Sequence, residues 1–211
     1  MKLAYKIKNL QFNYDDKFFF QLDSMNINSG EIIGITGLNG SGKSTLLKLL
    51  AFLLKPNSGN IMFFGNNVVH NNYFSLRQET TLLLQDPILL KRTVFENVAY
   101  GLRKRNATNV DKNVTEALER VGLSKKYHAK KYFNELSGGE SKRVALAARI
   151  AIEPKVLLLD EPTTNIDKMN KDLIYQTLTD LNTDKNTTII ISSHDEMWLN
   201  NLTNTFVEIR V

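Results

Sequence analysis

Residues 31–36 (EIIGIT) form a short apolar run that feeds straight into Gly37, Leu38, Asn39, Gly40, Ser41, Gly42, Lys43 and Ser44. The pattern G-x-x-x-x-G-K-[ST] constrains the fold more than any other segment. Its glycines let the backbone curl until successive amide groups point at one centre, and a helix beginning near Lys43 adds the positive end of its dipole. Such a loop needs a buried strand before it and a helix after it. The chain provides both: the run at 31–36, then Leu46, Leu47, Leu49, Leu50, Leu53 and Leu54 at helical spacing until Pro56 stops them. A parallel α/β sheet is the architecture that accommodates this order.

The remaining segments fit that frame. Alternating stretches at 3–14 and 17–22, separated by Asp15 and Asp16, predict an antiparallel hairpin. Runs at 61–64 and 80–84 predict strands, and the spacing at 93–105, 110–121 and 137–152 predicts helices. Two more strands, at 156–159 and 188–191, flank a helix near 169–181 and restore the βαβ rhythm. The expectation is one domain over residues 1–211: a P-loop, RecA-like parallel core, an antiparallel β subdomain, and a helical insert at roughly 86–152. With 211 residues, 42% hydrophobic and 23% charged, the chain is sized for one complete core.

Composition also excludes some chemistries. Without cysteine there can be no disulfide, thiolate zinc site or cysteine nucleophile. The amino terminus alternates like a strand, so no export signal is expected. Residues 46–54 are interrupted by Lys48 and fall far short of the roughly 18 apolar residues a membrane span needs. The net charge of +5 gathers at 103–105 and 125–131, with little aromatic interleaving, and reads as a solvated basic face with no nucleic-acid partner.

Several polar residues stand at strand ends, where ligands of open α/β sheets bind. Lys43 should reach the β and γ phosphates of a nucleotide, Ser44 should place its hydroxyl on Mg²⁺, and Thr45 should help hold the α phosphate. Asp160 ends the apolar run at 156–159 and should hold Mg²⁺ through water. Glu161, one residue further, is placed to polarise the attacking water. His194 follows the run TIIISS and could reach the γ phosphate from the same rim. Gln85, after TLLL at 81–84, suits a water or metal contact and could sense the state of the insert. His70 and His128 read as ordinary surface or core residues.

Leu136, Ser137, Gly138, Gly139 and Glu140 open a helix, with Ser137 as N-cap and Glu140 completing a capping box. This is an anion-ready helix end with no phosphate of its own, since residues 37–44 already hold one. A small-molecule kinase would have no use for it. Here the chain resembles the ATP-binding subunits of ABC transporters, whose phosphate loop, glutamine loop, LSGG signature, acidic strand end and switch histidine recur in this order. The resemblance implies ATP and Mg²⁺ as ligands, ATP hydrolysis, and a head-to-tail homodimer. Each ATP would lie between Lys43 of one copy and Ser137 and Gly139 of the other. It also implies that Tyr14 stacks on adenine and that Asp167 sits in a loop crossing the dimer interface. Glu140 stands where glutamine is commoner, and Asn165 and Ile166 replace the usual small residue and leucine.

The stretch at 82–105 looks most like that of prokaryotic tungstate importers, where it receives a helix of the membrane subunit. This likeness implies oxyanion import with transmembrane permease subunits and, indirectly, an extracytoplasmic binding protein. The chain would lie at the cytoplasmic face of the membrane as a peripheral subunit. Molybdate, phosphate or sulfate import, or a soluble non-transport ATPase of the same family, are the alternatives.

Overall fold

In the computed structural model, which describes residues 2–15, 18–203 and 205–209, the chain begins as a long hairpin of β1 (Leu3–Asp15) and β2 (Phe18–Asn28). Asp16 and Lys17, assigned above to the turn and the start of the second strand, lie outside the described residues. The second strand runs six residues beyond the predicted 22, to Asn28. Its alternation changes phase, which hides the extension from a simple period-2 reading. Tyr5 and Ile7 face inward, then Leu10 and Phe12, with Asn9 at φ 48 between them. The partner strand makes the matching change, from Phe20 to Met25 and Ile27.

Next come β3 (Ile32–Thr36) and α1 (Lys43–Leu50). The helix stops four residues before the predicted Leu54. Phe52 adopts φ 57, its N–H donates to Leu49 O at 3.0 Å, and Leu53 N–H donates to Lys48 O at 2.9 Å. This is a Schellman ending with phenylalanine where glycine is usual. Burial explains the exception: the Phe52 ring packs on Phe63 at 5.3 Å and on Tyr73 at 5.7 Å. Tertiary packing offsets a local backbone penalty of about 1 to 2 kcal/mol.

The chain continues through β4 (Ser58–Phe63), β5 (Asn66–Asn67), α2 (Tyr73–Glu79) and β6 (Thr80–Leu83). The helical insert follows as α3 (Val94–Lys104), α4 (Val110–Arg120), the short α5 (Lys125–His128) and α6 (Gly138–Ile150). Then come β7 (Val156–Asp160), α7 (Lys168–Lys185), β8 (Thr188–Ser192), α8 (Glu196–Leu202) and β9 (Phe206–Glu208).

Among the described residues these strands make two sheets. One is antiparallel in the order β2-β1-β4-β5, and the other is parallel in the order β6-β7-β8-β3-β9. Both β7 and β8 are buried at every position, as central strands covered on both faces must be. Alternate residues serve two cores. Val156, Leu158 and Ile190 face α1 and the antiparallel sheet, whereas Leu157, Leu159, Ile189 and Ile191 face the insert, α7 and α8. The carboxyl ends of β3, β6, β7 and β8 therefore reach one common edge. No helix among the described residues is long and apolar enough to cross a membrane.

Candidate nucleotide site

The loop at 37–45 leaves β3 and curls into α1, as its glycine spacing requires. Gly37 sits at φ 144, and a Cβ there would lie 2.5 Å from Ile209 O, so only glycine fits. Lys43 is 7% exposed, and its Nζ donates to Gly37 O at 2.8 Å and Leu38 O at 3.0 Å. These carbonyls hold the ammonium at the mouth of the loop. Thr45 is buried behind it, while Ser44, Leu38, Asn39 and Gly40 are exposed. Ser41 Oγ is buried without a hydrogen-bond partner, an unspent polar group in the wall of the cradle.

The acidic pair lies at the same edge. Asp160 is buried, with Oδ1 accepting from Ser192 Oγ at 2.7 Å. Glu161 is equally buried but has left the strand, at φ 48. A non-glycine residue in that region is held there by its surroundings. The Glu161 N–H donates to Ser192 O at 3.0 Å. Its Oε2 accepts from the His194 N–H at 3.2 Å and from the Thr164 hydroxyl at 3.3 Å. His194 Nε2 stands 3.3 Å from Oε1 without the alignment of a hydrogen bond, so Oε1 remains an unsatisfied buried acceptor. Glu161 and His194, 33 residues apart in sequence, thus meet directly. Gln85 lies exposed just past β6, which pairs with β7 at that edge.

Mg²⁺ would suit the donor types that stand here. The Ser44 hydroxyl, the Asp160 carboxylate and the Gln85 amide are hard oxygen donors, and such a set would leave room for water and phosphate oxygens. Among the described residues no cluster of three or more His, Cys, Asp or Glu side chains forms an all-protein metal cage. A phosphate-borne metal needs none.

The other candidates lie on β1, α6 and the start of α7. Tyr14 lies on β1, 53% exposed, with its ring edge-on to Phe12 at 4.8 Å. Ser137 caps α6, accepting from Glu140 N at 3.2 Å while Glu140 Oε2 accepts from Ser137 N at 2.8 Å. Ser137 and Gly138 stand at the open start of that helix. A Cβ on Gly139 would come 2.8 Å from Asn170 Nδ2, so the signature glycine admits a side chain from α7. Asn170 is itself bound to Asp167, which caps α7 by accepting from Asn170 N at 2.9 Å. That hydrogen bond, first among its partners, pulls the Asp167 carboxyl below its ordinary range.

Glu140, the departure from glutamine, has a charged setting. Its Oε1 lies 3.2 Å from both Lys131 Nζ and His128 Nε2. The Ser137 N–H is the largest influence that lowers its carboxyl to about 2; burial opposes it and Lys131 assists. A depressed carboxyl adds stability above its unfolded value, and loses it as the pH falls toward the folded one. Wild type should exceed Glu140→Gln by about 1 kcal/mol in urea unfolding at neutral pH, an amount reduced for solvent screening. That margin should disappear as the pH drops from about 4.5 toward 2. A margin unchanged at the acid end of that window would contradict the assignment.

Sequence reasoning missed Ser192 and Thr164, which orient the acidic pair. A hydroxyl three residues after Glu161, and another two before His194, were the available signals.

The family model described as ABC transporter matches residues 20–164. The tungstate uptake system ATP-binding protein TupC of Peptoclostridium acidaminophilum is 36% identical over 194 residues, covering 89% of this chain and 86% of that protein. The methionine import ATP-binding protein MetN of Carboxydothermus hydrogenoformans is 39% identical over 198 residues, covering 90% of this chain and 58% of its own length. Three further relatives are longer still, and the chain spans 33% to 34% of each. Among solved structures, a dimeric ATP-binding cassette in a post-hydrolysis state with ADP and Pi superimposes with a TM-score of 0.86 at 28% identity, covering 98% of this chain and 94% of that one. The motif order read from the sequence and these likenesses agree, and the chain belongs to the ABC transporter family as one of its ATP-hydrolysing cassettes.

Proposed function

We propose that this cassette drives an import system for an oxyanion, tungstate first, by closing as a head-to-tail homodimer on two ATP molecules and reopening after hydrolysis. The observation that carries the reading is a division of the motifs. Lys43, Asp160, Glu161 and His194 stand at one edge of the parallel sheet, whereas Ser137 and Gly138 present an exposed helix start with amide donors on the helical insert, which carries none of those four groups. A second copy supplies the missing phosphate, and the dimeric relative with ADP and Pi supports that pairing.

Within one site, Lys43 exchanges its two loop carbonyls for β and γ phosphate oxygens. Ser44 and Asp160, with Gln85, would hold Mg²⁺, which would neutralise phosphate charge. Glu161 accepts a proton from the attacking water, and His194 stays beside it at the γ phosphate. Tyr14 stacks on the adenine, and Asp167 belongs to the loop that meets the partner. Cargo does not enter this chemistry. It is chosen by transmembrane permease subunits and an extracytoplasmic binding protein, which place this chain at the cytoplasmic face of the membrane.

The tungstate assignment is supported by a relative that aligns along 89% of this chain and 86% of its own length. A methionine importer is the second reading, favoured by the slightly higher identity of that relative. Uptake measured in cells deleted for this chain separates them. Tungstate accumulation should fall to background with methionine uptake unchanged, and the converse pattern would replace the first cargo by the second.

A further inference from the structure

Lys142 lies one turn into α6, next to the open start of that helix, and its Nζ donates to the main-chain oxygen of Thr164. Thr164 in turn touches Glu161 twice. Its N–H donates to Glu161 O at 3.3 Å, and its hydroxyl donates to Glu161 Oε2 at 3.3 Å. Glu161 needs such support, because φ 48 is a conformation its own backbone disfavours. Two anchors come from β8 and the residues after it, Ser192 O and the His194 N–H. The third comes from Thr164, in the loop at 162–167, and Lys142 fastens that loop to α6.

The environment of Lys142 fits such a role. Partial burial pulls its ammonium below the ordinary lysine range, while the nearby Asp86 and Glu161 carboxylates oppose that pull. A partly desolvated cation needs a fixed acceptor, and the Thr164 carbonyl is one. Arg143 and Arg149, on the same helix, are committed elsewhere: Arg143 donates to Val121 O at 3.0 Å and Gly122 O at 3.1 Å, and Arg149 to Leu82 O at 3.0 Å.

We infer that Lys142 is a positioning residue for hydrolysis: through Thr164 it fixes the Glu161 carboxylate of its own protomer, so that the signature helix and the base move as one piece. This rests on the reading of Glu161 as the base. In a head-to-tail dimer, the start of α6 meets the nucleotide held by the partner, whereas Glu161 serves the nucleotide held by its own loop. The Lys142 link therefore lets the occupancy of one site adjust the base of the other.

The test is a double-mutant cycle on the purified full chain, reading kcat and KM for MgATP. Lys142→Met should lower kcat about tenfold while KM moves less than about twofold, the signature of misplacement rather than lost binding. Lys142→Arg should recover most of the loss, because a guanidinium also reaches the carbonyl. Should methionine disturb the circular dichroism, Lys142→Leu replaces it, with the same kinetic expectation. Thr164→Val should lower kcat alone, and the double variant should fall no further than the worse single variant, since both remove one linkage. Wild-type kcat in Lys142→Met, losses that multiply in the double variant, or an arginine no better than methionine would each overturn the inference. If Glu161→Gln still turns over, the base assignment fails and takes this inference with it. If Glu161→Gln is inactive and Lys142→Met is normal, only the linkage is wrong.

Discussion

Glu161→Gln is expected to bind ATP as tightly as the unaltered chain and to turn it over about a hundredfold to ten-thousandfold more slowly, the span that a lost general base commands. The substitution keeps the shape of the site. An amide oxygen can still accept from the His194 N–H and the Thr164 hydroxyl, which hold Oε2 at 3.2 Å and 3.3 Å. It cannot take a proton at neutral pH. Removing a negative charge also removes repulsion toward phosphate, so the nucleotide-loaded form should persist as a dimer that light scattering detects. Steady-state phosphate release at the normal rate would take Glu161 out of the base role. A strictly monomeric loaded variant, even with its membrane subunits present, would remove the composite site.

Lys43→Ala should weaken ATP binding at least about a hundredfold, since hydrogen bonds to charged groups contribute about 1.5 to 3 kcal/mol each and the proposed role gives Lys43 two phosphates to contact. The structure adds a reason for so large an effect. Lys43 is 7% exposed, and its ammonium is already held at the loop by two carbonyls. A side chain placed in advance loses little further freedom on binding, so more of its interaction appears as affinity. Titration calorimetry with MgATP reads the loss directly. An unchanged dissociation constant would contradict the assignment of residues 37–45 as the phosphate cradle.

Much of this site was legible in the sequence because its parts are local. The loop at 37–45, the capping box from Ser137 to Glu140 and the carboxylates at the end of β7 each declare themselves within a few residues. The central strands were equally plain, since burial on both faces leaves unbroken apolar runs. Features that depend on distant partners were not legible. Phe52 ends α1 early because of a pocket built by Phe63 and Tyr73, and no local propensity marks it. The amino-terminal strands change phase at Asn9, which disguises Met25 and Ile27 as loop. Short α8 and β9 carry too little periodicity to stand out, although Asp195 caps α8 by accepting from Trp198 N at 3.1 Å. Thr164, Ser192 and Lys142 gain their meaning only once Glu161 is seen with φ 48.

The strand order has a consequence for synthesis. The strand that launches the phosphate loop, β3, is flanked by β8 and β9, whose residues are made long after it. Contacts so remote close slowly, because a long stretch of chain must first be brought round. A polypeptide still growing on the ribosome, or one cut short before Thr188, carries the whole glycine loop yet has no neighbour to seat it. Nucleotide capture should thereby wait until residues 188–208, which form both neighbours of β3, have been made.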